Sequence, residues 1–301
     1  MPENPVLAID IGGTKLMVGV VDLSTNTVLS SVLSPTPATQ GGNAVYQQVL
    51  NLCNQLPELN RIQAIGVCFG GPVNRNKVMH SNHVVGWDNF SLEKRLQHDI
   101  ANVPVRILND ANAIAWMEWL HCLKAESLQS MFYLTVSTGI GGGLIIDHKL
   151  IEGRNGMASE IGHLILEPDG ALCSCGNRGC LEALAAGPAI SREYAQQTGT
   201  DISSREIAQL AIAGDSVAIR SLQQSGRYVG RALATLNVLV DVDTIVIGGG
   251  VSRAGSIWWN AVETQLTSDV LPWIKPPKLS PSTFGEREGL FAGAVATQNI
   301  D

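Results

Sequence analysis

Three apolar segments of this chain each run straight into a cluster of glycines. Val6-Leu7-Ala8-Ile9-Asp10-Ile11 meets Gly12-Gly13-Thr14. Phe132–Ser137 meets Thr138-Gly139-Ile140-Gly141-Gly142-Gly143, and Thr244–Ile247 meets Gly248-Gly249-Gly250. A short apolar run bounded by glycines reads as a buried strand. Glycine lets the backbone turn sharply and approach another group closely, at a high cost in conformational entropy. Three such turns, each after an apolar strand, point to strand-end loops that meet a ligand. A nucleotide is the ligand they suit best, although the third turn taken alone could be simple chain reversal.

The remaining pattern alternates strands and helices, which predicts an α/β fold. Lys15–Asp22 reads as a returning strand, so the first turn lies in a β-hairpin and not in a strand-to-helix phosphate loop. Val28–Leu33, Gln63–Cys68 and Val105–Leu108 read as strands, and Val45–Leu56, Leu92–Asp99 and Asn112–Leu123 as helices. A second unit begins near Met131, with Phe132–Ser137 as a strand, the glycine run as a loop and Leu144–Asp147 as the returning strand. This repeats the first hairpin, an internal echo of a duplicated domain. Pro188–Asn237 is helical with breaks near Thr198–Asp201 and Gly214-Asp215, and the last helix covers Gly289–Gln298, rich in small residues.

With 20 basic and 27 acidic residues the formal charge is −7, and no basic run marks a nucleic-acid footprint. Met1–Pro5 lacks the basic start of a signal peptide. Asp10 and Lys15 interrupt the apolar stretch Val6–Val21, which is too short to span a bilayer. A cytoplasmic protein without membrane partners is expected, so its six cysteines read as thiols or metal ligands.

In Asp10-Ile-Gly-Gly-Thr-Lys15 the turn's N–H groups can form an anion nest, the Thr14 hydroxyl adds a donor, and Asp10 can hold a magnesium ion or its water. The same residues also describe an ordinary hairpin turn with a capping aspartate. Cys173-Ser-Cys175-Gly-Asn-Arg-Gly-Cys180 places three thiols around two glycines, a pattern that favours zinc with His163 as the nearest fourth ligand. A redox pair or idle thiols are the alternatives. Cys53, Cys68 and Cys122 read as packing residues. Asp110, at the carboxyl end of a strand, either faces a ligand crevice or caps the next helix. Glu160 and Glu182 bracket the cysteines and are either solvent-exposed or gathered near His163 as acceptors for a polyol.

Together these residues resemble the ROK family of sugar kinases and related repressors. The most specific element is Glu160-Ile-Gly-His163 followed by Cys173-Ser-Cys175-Gly-Asn-Arg-Gly-Cys180-Leu-Glu182, and the match runs from Asp10 to the final helix. The resemblance implies an actin-like, hexokinase-like two-domain ATPase fold with an interdomain cleft and a zinc knot. Its small domain would comprise residues 1–112, completed by the helix 287–301. The large domain would cover 113–286, with the zinc segment at 160–182.

It further implies ATP, magnesium and structural zinc as cofactors, and a hexose as substrate. Asp10, Gly12, Gly13 and Thr14 would form the first phosphate loop, Thr138, Gly139 and Gly141 the second, and Gly249 and Gly250 would lie by the adenosine. Asn109 and Asp110 would bind the sugar, with Asp110 taking the proton from its 6-hydroxyl. Glu160, His163 and Glu182 would hold the other end, with Gly71 and Asn82 as further pocket contacts. His163, Cys173, Cys175 and Cys180 would bind zinc. Ser159 departs from the glycine that many members carry before the glutamate.

Glucose is the first expectation for the sugar and N-acetylmannosamine the alternative. A sugar-responsive regulator is less favoured, because only nine residues precede Asp10 where a DNA-binding segment would lie. The presence of Asp110 weighs against a silent sugar sensor. A homodimer is the family-based expectation. Loss of the cysteine knot is expected to fall on sugar binding, since ATP would rest on the glycine turns outside it.

Overall fold

The computed structural model describes residues 4–81, 84–88, 90–122, 128–284 and 288–298. In chain order its main elements are β1 (Pro5–Ile11), β2 (Lys15–Asp22), β3 (Thr27–Pro35), α1 (Gly42–Cys53), β4 (Ala64–Phe69), the short β5 (Val73–Asn74) and β6 (Lys77–Val78), α2 (Leu92–Asp99), β7 (Val105–Asn109) and α3 (Asp110–Cys122). There follow β8 (Ser130–Val136), β9 (Ile140–Ile146), β10 (Lys149–Leu150), α4 (Leu181–Ala185), α5 (Gly187–Thr198), α6 (Ser204–Ile212), α7 (Ser216–Val240), β11 (Thr244–Gly248), α8 (Ser256–Asp269), β12 (Lys278–Pro281) and α9 (Glu288–Val295). These divide into two compact units. One comprises Met1–Ala125, Lys149–Ala158 and Thr283–Asp301, the other Glu126–His148 and Ser159–Ser282.

In the first unit the strands run β3-β2-β1-β4-β7. β1 pairs antiparallel with β2 and β2 with β3, while β1–β4 and β4–β7 are parallel. Alternate residues of these strands enter two different layers. Leu7, Ile9, Val18, Val20, Ile65, Val67 and Ile107 share a core with Val45, Tyr46 and Val49 of α1. The opposite face carries small residues and receives α9, which packs on β1 and β4 and beside α3. A Cβ on Gly66 would come within 1.8 Å of the Gly293 carbonyl oxygen, so the helix lies directly on the strand's backbone. The small residues of the last helix serve this approach.

Two segments fall differently from the boundaries read off the sequence. α3 joins the first unit because it packs against α9. Residues 149–158 join it as well, where Glu152 accepts a 2.9 Å ion-paired hydrogen bond from Arg106.

In the second unit β8 pairs antiparallel with β9 and parallel with β11, and β11 pairs parallel with β12. The order β9-β8-β11-β12 therefore reproduces β2-β1-β4-β7 in sequence and direction. The breaks in the helical stretch have local causes. α5 ends at Gly199 with φ 73, α6 starts from a Ser203–Glu206 capping box, and Asp215 caps α7 through the N–H groups of Val217 and Ala218. α8 packs along α7, where Gly226 and Gly230 leave room for its backbone; a Cβ on Gly230 would lie 2.5 Å from the Val262 carbonyl oxygen. Helix α8 leaves little trace in the sequence, because its buried residues Trp258, Val262 and Leu266 form only a narrow stripe.

One expectation changes. Gly141, Gly142 and Gly143 lie inside β9 and not in a loop, with Gly141 paired to Thr135. A Cβ on Gly142 would sit 2.4 Å from the Phe132 ring and 2.9 Å from the Ser159 carbonyl oxygen, so close packing, and not a turn, calls for glycine there. Among the described residues no helix is long and apolar enough to cross a membrane.

Gly66→Ala should destabilise the protein by about 3 kcal/mol, the upper end for an added methyl in a closed core, because the obstacle is backbone. Gly293→Ala, whose Cβ would meet the Gly66 carbonyl oxygen at 3.2 Å, should cost clearly less. Urea denaturation midpoints of the two variants check the order, and equal losses would overturn it.

Candidate active site

The parallel strands β1, β4 and β7 end side by side, with Ile11 opposite Phe69 and Phe69 opposite Asn109. Ligands of α/β sheets collect beyond such carboxyl ends. Here the ends continue into Gly12-Gly13-Thr14, Gly70-Gly71 and Asp110. Gly12 N–H donates to the Lys15 carbonyl at 3.0 Å, and Thr36 braces the turn through its hydroxyl to the Gly12 carbonyl (2.7 Å) and its N–H to the Thr14 carbonyl (3.0 Å). Gly70 N–H donates to the Ile11 carbonyl at 2.9 Å, tying the first two strand ends together. Gly71 sits where a Cβ would come within 2.5 Å of the His80 carbonyl oxygen. Asn82 lies outside the described residues.

The cap of the helix that follows β7 comes from Asn109 and not from Asp110. Asn109 supplies the cap of α3, its Oδ1 accepting from Asn112 N–H at 3.2 Å, while its Nδ2 donates to the Gly71 carbonyl (3.2 Å) and to Asp110 Oδ1 (3.0 Å). Asp110 Oδ1 also accepts from Ala111 N–H at 2.8 Å. The Asp110 residue is exposed, and its Oδ2 is the atom a Cβ on Gly70 would approach, at 3.9 Å. These two bonds hold the Asp110 carboxylate at the end of β7.

Asp10 is partly buried behind this edge. Burial first, then the nearby charges of Asp110 and Glu288, push its carboxyl up to about 7, against the opposing pull of Lys15. A Cβ on Gly289 would lie 2.3 Å from Asp10 Oδ2, so the start of α9 rests on this carboxylate. Glu288 was not legible as a site residue: it comes from the far end of the chain, and nothing around it in sequence marks it. Burial, followed by the charges of Asp10, Asp110 and Glu288, holds the Cys68 thiol well above its usual range, which keeps it a neutral packing group.

In the second unit β8 and β11 likewise end together, at Ser137-Thr138-Gly139 and Gly249-Gly250. Gly249 has φ 89, and a Cβ on it would lie 2.3 Å from the Val136 carbonyl oxygen. Only glycine fits so close to the end of the neighbouring strand. A Cβ on Gly250 would stand 3.7 Å from Ser137 Oγ, which puts the two turns side by side. The Ser137 carbonyl accepts from Gly187 N–H at 2.8 Å, and Thr138 is exposed.

The cysteine segment curls on itself through Gly176 (φ 93) and Gly179 (φ 69) and is held by bridges Leu172–Arg178 and Ile165–Cys180. Donor atoms of His163, Cys173, Cys175 and Cys180 all lie within 4.8 Å of one another. Cys173 Sγ is 3.7 Å from His163 Nδ1, and Cys175 Sγ is 3.6 Å from Cys180 Sγ. A tetrahedron with ~2.3 Å metal–sulfur bonds has edges of roughly 3.7 Å, so three thiols and an imidazole at these distances suit a small tetrahedral cation.

The other ring nitrogen of His163, Nε2, faces Glu160 Oε2 at 4.0 Å. Glu182 Oε1 accepts from the Ser174 hydroxyl at 3.3 Å. Glu160, His163 and Glu182 are all partly buried around the cluster. Ser159, just before Glu160, has φ 71 with its hydroxyl buried and unpartnered. Both features favour glycine at that position, so the serine is a strained choice.

The predicted site residues thus form two groups. The first unit gathers Asp10, Gly12, Gly13, Thr14, Gly71, Asn109 and Asp110 at one sheet edge. The second gathers Thr138, Gly139, Gly249 and Gly250 at another, with Glu160, His163, Glu182 and the cysteines around the knot; Gly141 stands one residue further along, in β9.

Duplicated parallel-strand ends with glycine turns, an acidic group and a Cys₃His cluster define the class as a duplicated α/β fold with a candidate ligand site at its strand ends. The chain belongs to the ROK family, whose model matches residues 6–298. It is 37% identical over 251 residues to the N-acetylmannosamine kinase of Vibrio vulnificus strain CMCP6, covering 83% of this chain and 84% of that protein. The fold matches the crystal structure of a ROK hexokinase from Thermus thermophilus with a TM-score of 0.83 and 36% identity, over 97% of each chain. It also matches a ROK glucokinase from Streptomyces griseus in complex with glucose and AMPPNP, with a TM-score of 0.82 and 29% identity, over 97% of this chain and 98% of that one.

The Asp10 carboxyl binds its proton more tightly in the folded than in the unfolded protein, whose value is 3.8. Its stabilising contribution is therefore complete below 3.8 and is lost as pH rises through about 7. Asp10→Asn, which carries no charge, should gain stability relative to the wild type across that window. Denaturation midpoints of both proteins, free of nucleotide and magnesium, at pH values on either side of it check the sign. A gap that does not change with pH would overturn it.

Proposed function

We propose that this chain is an ATP-dependent sugar kinase that transfers the terminal phosphoryl group to the 6-hydroxyl of a hexose, with glucose as the preferred substrate. The observation that carries the reading is Asp110, an exposed carboxylate fixed by Asn109 and Ala111 beside the Gly70-Gly71 turn. Phosphoryl transfer needs positioning and charge neutralisation more than covalent chemistry. Asp110 would orient the sugar hydroxyl and accept its proton as the new P–O bond forms. Asn109 and Gly71 would align the sugar, with Glu160, His163 and Glu182 holding its other hydroxyls.

The turns at Gly12–Thr14 and Thr138–Gly139 would present N–H and hydroxyl donors to the phosphates, and Gly249-Gly250 would leave room for the flat adenine ring. Magnesium bound with the triphosphate would neutralise its charge, with Asp10 as a carboxylate to hold the ion or its water. Zinc on His163, Cys173, Cys175 and Cys180 would supply structure by fixing the loop that carries the polar groups. All six cysteines are free thiols, which fits work in the cytoplasm.

N-acetylmannosamine is the second reading, favoured by the 37% identity to a kinase of that sugar. A panel of hexoses and N-acetylhexosamines with coupled ADP detection decides between them. The highest kcat/KM on glucose is the expected result. A clear preference for N-acetylmannosamine moves the assignment to the second reading, and no turnover with any sugar removes the kinase.

Asp110→Asn should keep the fold and most sugar binding while cutting turnover about 100-fold, the usual scale for a lost general base. Near-normal turnover of the folded variant would put the base elsewhere. One zinc per chain is expected by elemental analysis of protein purified without added metal; active protein with a ratio near zero would remove zinc from the account.

A further inference from the structure

Glu182 has a second set of partners that a sugar contact does not require. Its Oε2 accepts from Ile140 N–H at 3.0 Å, at the end of the turn that follows β8. Its Oε1 accepts from the hydroxyl of Ser174, between two of the clustered cysteines, at 3.3 Å. A Cβ on Gly139 would lie 2.6 Å from the same Oε2, so glycine at that position makes room for the carboxylate. The carboxylate therefore spans from the cysteine segment to the nucleotide turn.

Its own placement is set by the cluster. Leu181 N–H donates to the Leu164 carbonyl at 2.9 Å, and Ile165 bridges Cys180, so His163 and Cys180 stand at the two sides of one short antiparallel pairing. Glu182 follows immediately. The other end of the turn is held by the Ser137 carbonyl and the N–H of Gly187, which opens α5 just after the helix that carries Glu182.

We infer that Glu182 is a positioning residue for the nucleotide turn, a strut through which the cysteine–histidine cluster sets the Ser137–Ile140 backbone. The inference rests on the kinase reading for the role of that turn. It revises the expectation that loss of the cluster spares ATP: release of the knot slackens the strut and so weakens nucleotide binding even with no sugar present. Any sugar hydroxyl that draws on Glu182 then shifts nucleotide affinity, and the reverse effect follows by linkage.

The test is calorimetric titration of the magnesium complex of a non-hydrolysable ATP analogue into sugar-free protein. Glu182→Ala should weaken binding about tenfold or more, the scale for losing a hydrogen bond to a charged group. Glu182→Gln should stay within about threefold, because an amide oxygen still accepts from Ile140 N–H. Equal affinity in wild type and a folded Glu182→Ala variant overturns the strut while leaving the kinase reading intact.

Hydrogen exchange at the Ile140 amide reads the contact without any nucleotide. It should quicken in Glu182→Ala and, on treatment with a strong chelator, in the wild type. Should Glu182→Ala fail to fold, the chelated wild type decides, and unchanged exchange there overturns the inference. A wild type that binds no nucleotide, yet whose Ile140 amide responds to the chelator, sinks the kinase reading instead.

Discussion

Parallel pairing is the constraint from which the site follows. A parallel strand pair cannot be joined by a tight turn, so each connection leaves at one edge of the sheet and returns at the other. β1, β4 and β7 consequently deliver Gly12, Gly70 and Asp110 to a single line, although these residues are distant in sequence. The pairing of β8 with β11 does the same for Thr138 and Gly249. The first unit assembles its polar groups at strand ends alone; in the second, the long segment between β10 and α4 adds Glu160, His163 and the cysteines. The sheet register fixes which residue stands beyond each strand end, and the glycines allow the chain to reverse there without filling the space.

Both units solve the same problem differently. In the first, acidic groups gather: burial, and after it the charges of Asp110 and Glu288, raise the Asp10 carboxyl. Such a group is best satisfied by a proton or a cation. In the second, two turns stand side by side, and rigidity comes from hydrogen bonds at both ends of the Ser137–Ile140 turn, one of them to the Glu182 carboxylate.

Local pattern carried much of this in the sequence. The hairpin at Gly12–Thr14, helix α2 and the helix breaks at Gly199 and Asp215 were legible because each depends on residues within a few positions of it. The cysteine spacing was legible for the same reason, since one curled segment supplies three of the four donors. What escaped was set by partners far along the chain. The glycines of β9 read as a loop because the Phe132 ring that excludes a side chain there is invisible to local propensity. Helix α8 escaped because its buried stripe is narrow, and Glu288 because only tertiary packing brings it to Asp10. Local pattern also could not tell which of two adjacent polar residues caps α3, a role that falls to Asn109.

The seat of α9 on β1 and β4 also bears on the order of assembly. These strands are made early, yet the small-residue face they share stays uncovered until Glu288–Val295 arrives from the other end of the chain. Contacts of such long sequence separation form late, because loop-closure entropy must be overcome first. The second unit, built from nearly continuous sequence, can close while the first still waits. On the ribosome, the part of the molecule made first is then the last to be finished.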